Sequence, residues 1–140
     1  MPRFPRIGGL VALTMTAALL TTPAADAHDA GNEKVTPVLR MPLPDAPGKQ
    51  MTLAVVAYEP GQASAAHLHP GSVFAYVLEG EIASQLDGQP ERVFKAGESW
   101  YEPPRTPHLV SRNASAQKPA KLLAILLNDV GEPLKVPLER

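Results

Sequence analysis

From residue 51 onward the chain alternates short apolar runs with clusters of turn residues, and the runs are too short for helices. Seven of them read as strands: Met51–Glu59, Val73–Leu78, Glu81–Leu86, Arg92–Phe94, Ser99–Tyr101, His108–Ser111 and Lys121–Asn128. Between them stand Pro60-Gly61, Pro70-Gly71, Glu79-Gly80, Asp87-Gly88, Ala96-Gly97 and Pro103-Pro104. Punctuation at this spacing predicts an all-β sandwich or barrel. Leu122–Leu127 is an unbroken apolar run bounded by Lys121 and Asn128, short enough to be a buried strand rather than a helix. Ahead of these elements, the prolines of Val35–Lys49 oppose regular structure, so residues 28–50 are expected to form an extended segment. Residues 51–130 then form the barrel domain and 131–140 a C-terminal tail.

Residues 1–27 have a different character. Arg3 and Arg6 precede the apolar stretch Ile7–Leu20, and a small-residue site follows at Ala25-Asp26-Ala27. That is the pattern of a secretory signal peptide, with cleavage leaving His28 first and the protein periplasmic or secreted, off the membrane once processed. The competing reading, an uncleaved anchor, is weakened by the threonines and glycines within the stretch.

Composition narrows the chemistry. The 140 residues carry 13 Lys plus Arg against 14 Asp plus Glu, a net charge of −1 with no basic block, so the electrostatic footprint of a nucleic-acid binder is missing. Zero Cys excludes disulfides, thiolate metal sites and a cysteine nucleophile. Any metal must be held by imidazole, carboxylate or amide groups.

His67 and His69 sit two apart in GQASAAHLHPGSVFAYVLEGE. On a strand such residues point the same way, so both imidazoles can converge on one point inside a barrel. His108 lies further on, where the Pro-rich turn of GESWYEPPRTPHLVSRN enters another strand. Neutral imidazole is the commonest metal-binding side chain, although spacing alone leaves two solvated strand-end histidines as an equal reading. An N-terminal His28 with a free amine is a Cu(II) chelator in principle, but needs further His ligands and is read as a solvated terminus.

These two segments resemble the paired motifs of the cupin superfamily, specifically the small single-domain, quercetin-dioxygenase-like cupins. Gly61, His67, His69 and Gly80 match the first motif, G-x5-H-x-H-x(3,4)-E-x6-G, and Gly97, Pro103 and His108 match the second, G-x5-P-x-G-x2-H-x3-N. The resemblance implies a six-stranded β-barrel within a jelly-roll sandwich, a metal held by His67, His69 and His108, and a homodimer.

Three positions depart from that pattern. Val73 stands where most cupins carry a metal-binding Glu, so the fourth protein ligand is missing; Arg105 replaces a Gly, and Arg112 an Asn, with Asn113 one place late. Gln85, on the next strand, is a candidate cavity amide, and Arg105 a candidate for pairing with a substrate carboxylate. Glu102, in WYEPP, is the first choice for a general base, weighed against a solvated carboxylate at the barrel rim. Glu79 and Glu81 read as solvated turn residues. Trp100, Tyr101 and Phe74 are expected mainly to fill the core, because the chain has few aromatics.

Three imidazoles without a carboxylate leave a divalent cation (Fe, Mn, Ni, Zn or Cu) with open positions for a small-molecule substrate. The resemblance implies dioxygenase-like chemistry on a chelating enol, catechol-like flavonoid or thiol. Two other classes stand beside it: a binding module that breaks no bond, and metal-assisted isomerase or lyase chemistry on a sugar acid.

Overall fold

The computed structural model describes Gly31 and residues 33–138. The signal-peptide reading of 1–27 and the terminal His28 lie outside the described residues. Ten strands run in the order β1 (Lys34–Pro42), β2 (Lys49–Tyr58), β3 (His67–Leu68), β4 (Ser72–Glu79), β5 (Glu81–Leu86), β6 (Arg92–Lys95), β7 (Ser99–Glu102), β8 (Pro107–Asn113), β9 (Ala120–Asp129) and β10 (Val136–Pro137). They form two antiparallel five-stranded sheets, β1-β2-β9-β4-β7 and β10-β3-β8-β5-β6, with no helix among the described residues. This is the expected all-β jelly-roll architecture.

The proline-dense segment is more regular than its composition suggests. Lys34–Pro42 pairs with β2 along its length, with a register shift between Pro37 and Leu39. An edge strand bonds on one side only, so it tolerates prolines that a central strand would exclude. The tail also contributes, since Val136 and Pro137 pair with Leu68 and His67.

β9 lies between β2 and β4, so its apolar run is covered by a neighbour on each side. Along β4, Val73, Ala75 and Val77 face inward while Phe74, Tyr76 and Leu78 face out. The expectation that Phe74 and Tyr101 fill the core is therefore wrong: they stack on each other on the outer face, 46% and 45% exposed, with ring centroids 4.9 Å apart. Period two sends every second residue of β4 and β7 outward regardless of its size. Trp100 points the other way and packs against Phe94.

The packed core gathers Tyr58, Val77, Ile82, Phe94 and Leu122, and burying each large aliphatic side chain here stabilises the fold by about 1.5–3 kcal/mol. Gly80 turns β4 into β5 with φ of 72°, and a Cβ there would meet the Pro119 carbonyl at 2.6 Å. Only glycine satisfies both conditions.

Candidate metal centre

β3 is just two residues long, but it sets the centre. It pairs with β8 so that His67 lies directly opposite His108, and His69 lies two residues beyond His67 on the same face. One ring nitrogen from each of the three histidines falls within 4.8 Å of the others. The Nε2 atoms of His67 and His69 are 3.1 Å apart, close to the ~3 Å that two adjacent ligands on one cation adopt at bond lengths of about 2.1 Å.

Each imidazole is held through its other nitrogen. Nδ1–H of His67 donates to the Ala65 carbonyl at 2.7 Å, and Nδ1–H of His69 to the Leu134 carbonyl at 2.5 Å, which leaves both Nε2 lone pairs free. His108 shares a 2.9 Å hydrogen bond between its Nε2 and the Ser84 hydroxyl, leaving Nδ1 for the centre. Such outer contacts fix the tautomer and aim of a metal-binding imidazole. Burial pushes the imidazolium form of His67 down to a pKa of about 4, and burial likewise lowers that of His69 against the opposing pull of Glu102. Both rings are thus neutral near pH 7, the form that binds metal.

A β-bulge accounts for the late asparagine. Gln85 pairs with Val110 and Leu86 with His108, so Leu109 is an extra residue on β8. The bulge lets His108 and Ser111, three apart, both face the interior. It also carries Asn113, the last residue of β8, into a buried position where its amide donates to the Glu59 and Lys118 carbonyls.

Glu102 is not a solvated rim group. Its residue is 3% exposed; Oε1 accepts the Trp100 indole N–H at 2.9 Å, and Oε2 lies 3.1 Å from His108 Nδ1 and 3.8 Å from His69 Nε2. Burial raises its pKa, but the imidazoles of His108 and His69 and the Trp100 N–H outweigh it and hold the group below the usual carboxylate range. Glu102 Oε2 and His108 Nδ1 lack the alignment of a hydrogen bond with each other, and both are buried without a partner. Two orphaned buried atoms at the meeting point of the free imidazole nitrogens fit a bound cation, because buried polar atoms are otherwise satisfied.

The other candidates are elsewhere. Gln85 faces away from the cavity, its amide donating to the Gln89 carbonyl within the β5–β6 hairpin; the period of two along β5 turns Ser84 inward instead, where it meets His108. Arg105 is exposed and pairs with Glu132 at 3.7 Å rather than reaching over the cavity. Glu79 and Glu81 are exposed and face Lys121 and Lys95. Sequence reasoning missed Ser84, because alternation alone does not say which face of β5 is inward, and the Leu134 carbonyl, which carries no side-chain signal.

The centre occupies one wall of a cavity of about 190 Å³ whose remaining walls include Ala54, Val56, Val73, Leu122 and Leu126. Glu33 and Lys135, 2.7 Å apart, also line it.

A family profile described as the cupin domain matches residues 54–126. The chain is a cupin. No curated protein matches it in sequence. Among solved structures, a Thermus thermophilus protein is 33% identical, with a TM-score of 0.54, over 67% of this cupin and 81% of its own chain. A Klebsiella pneumoniae protein with a double-stranded β-helix domain is 19% identical, TM-score 0.60, over 84% and 90%. A DMSP lyase from Ruegeria pomeroyi is 24% identical, TM-score 0.56, over 62% of this cupin, which spans only 42% of the lyase chain. At these identities the latter two speak to the fold alone.

Proposed function

We propose that this cupin is an exported, divalent-metal-dependent oxidoreductase of dioxygenase-like type, acting on a small substrate that coordinates the metal through its own oxygen or sulfur. The observation that carries the reading is the convergence of three imidazoles, two buried and one partly buried, each with one nitrogen held and one free, on the wall of a mainly apolar cavity. His67, His69 and His108 would hold the cation. Bound there, it supplies Lewis acidity and, when redox-active, electron transfer to oxygen.

The apolar walls exclude water and strengthen every polar contact made inside. A cavity of about 190 Å³ lies below the ~300 Å³ at which pockets for drug-sized ligands begin, which favours a compact enol or thiol over a flavonoid. Export rests on the basic, apolar and small-residue pattern of residues 1–27. Homodimerisation is supported by the outward apolar face of Phe74, Tyr76 and Tyr101.

The test is elemental analysis of residues 28–140 purified without chelator, followed by oxygen uptake with small enols and thiols on the metal-loaded protein. Oxygen consumed in step with substrate supports the oxidoreductase. Product formed without oxygen, or saturable binding without product, turns the reading to a lyase or isomerase, or to a binding module.

A further inference from the structure

The motif position that most cupins fill with a ligand Glu is Val73, and Val73 is buried with no polar atom to offer. In the β4–β7 ladder, its direct cross-strand partner is Glu102. Residues directly opposite on adjacent antiparallel strands project from the same face, with Cβ atoms about 4.5–5.5 Å apart. A carboxylate on β7 at position 102 therefore reaches the same space as one on β4 at position 73.

We infer that Glu102 is the fourth protein ligand of this metal centre, the carboxylate having moved across the ladder from β4 to β7. The inference rests on the tri-histidine reading and deepens it. Glu102 Oε2 is buried, unpartnered and aimed between His108 Nδ1 and His69 Nε2, while Oε1 is anchored by Trp100. One oxygen is thus held and the other presented, the same division of labour as in each of the three imidazoles. A carboxylate ligand lowers the charge of a divalent site from +2 to +1, and makes the donor set three nitrogens and one oxygen. Glu102 is in that case a ligand rather than a general base.

The test is Co(II) binding, read by the visible absorption of the saturated protein and by competition affinity. Glu102→Gln is isosteric and keeps an oxygen for Trp100. It is expected to weaken Co(II) binding roughly 100-fold or more, beyond the 10–100-fold typical of an outer contact, and to change the absorption bands at saturation. The double variant V73E/E102Q, which returns the carboxylate to β4, is expected to recover most of the affinity and the wild-type bands. Should E102Q fail to fold, Glu102→Asp provides the same reading, because a shortened carboxylate also shifts the bands. Wild-type bands in saturated E102Q or E102D would overturn the inference and leave the three histidines standing. Failure of the wild-type protein to bind Co(II) would overturn the tri-histidine reading and this one with it.

Discussion

Arg105 adopts a left-handed backbone conformation, φ 60°, and its amide donates to the carbonyl of His69 at 2.8 Å. The β7–β8 turn is thereby tied to the strand end that carries a candidate ligand. This position is the motif's glycine, and a non-glycine residue pays about 1–2 kcal/mol to sit there. Arg105→Gly relieves that strain while giving back about 0.5–1 kcal/mol of chain entropy and a weak exposed ion pair with Glu132. The expected result is unchanged metal content with stability equal to wild type or higher by up to about 1 kcal/mol, whereas Arg105→Val loses stability. Denaturant unfolding of the two variants decides it; a large loss in the glycine variant would mean that the Arg105 side chain anchors the turn.

Removing a candidate ligand should uncouple metal from stability. A cation that binds only the folded state raises stability by an amount that grows with its concentration, about 2.7 kcal/mol at one hundred times Kd. Thermal scans of wild-type protein with and without added Zn(II) are expected to differ by several degrees, and those of His67→Ala and His108→Ala to coincide. Retention of the wild-type metal response by either variant would remove that histidine from the centre.

Ser84 is expected to matter although it touches no cation. Its hydroxyl is the partner of His108 Nε2 inside a buried site, so Ser84→Ala leaves that nitrogen unpaired and the ring free to turn. Metal affinity should fall 10–100-fold, while the global fold loses only about 1–3 kcal/mol. Ser84→Thr keeps the hydroxyl and should stay nearer to wild type. Equal affinity in the alanine variant, measured by titration calorimetry, would assign the orientation of His108 to β8 packing alone.

The strands and the three histidines were legible because both follow from local rules. Turn residues bracket the apolar runs, and an i, i+2 pair on a strand shares a face. What was not legible depends on long-range register. One inserted residue, Leu109, lets His108 share the inward face of Ser111, and no local pattern marks it as a bulge. Glu102 looked like a rim carboxylate because its burial comes from pairing with Val73, a relation between strands far apart in sequence. The edge strand β1 was missed because proline weighs against a strand until one knows that the strand has a single partner.

The outer face of the β1-containing sheet makes its own prediction. Phe74 and Tyr101 stack there beside Tyr76, all of them about half exposed, and monomers seldom leave such a group of large rings in water. If this is the homodimer interface, the double variant F74S/Y76S should shift the protein from dimer to monomer in light scattering at micromolar concentration. Its side chains point away from the cavity, so metal content should be unchanged. A wild-type monomer at the same concentration would dispose of the proposed dimer, and a variant that remained dimeric would move the interface elsewhere, with exposed β1 the next surface to test.

The C-terminal segment is tied to the metal centre through its backbone. Leu134 gives its carbonyl to His69, Lys135 lines the cavity beside Glu33, and Val136–Pro137 add β10 to the edge of β3. The packed core of Tyr58, Val77, Ile82 and Phe94 belongs to β2, β4, β5 and β6 and makes no use of this segment. Ending the chain after Gly131 should therefore preserve the β-rich circular dichroism spectrum while leaving His69 Nδ1–H without its acceptor and one side of β3 unpaired. Metal affinity is expected to fall at least 10–100-fold, the cost typical of losing an outer partner. Adding the missing residues back as far as Leu138 should restore it, whereas stopping at Glu132 should not. Wild-type affinity in the chain ending at Gly131 would show that His69 keeps its aim without Leu134, and that the first-motif strand alone positions the ring.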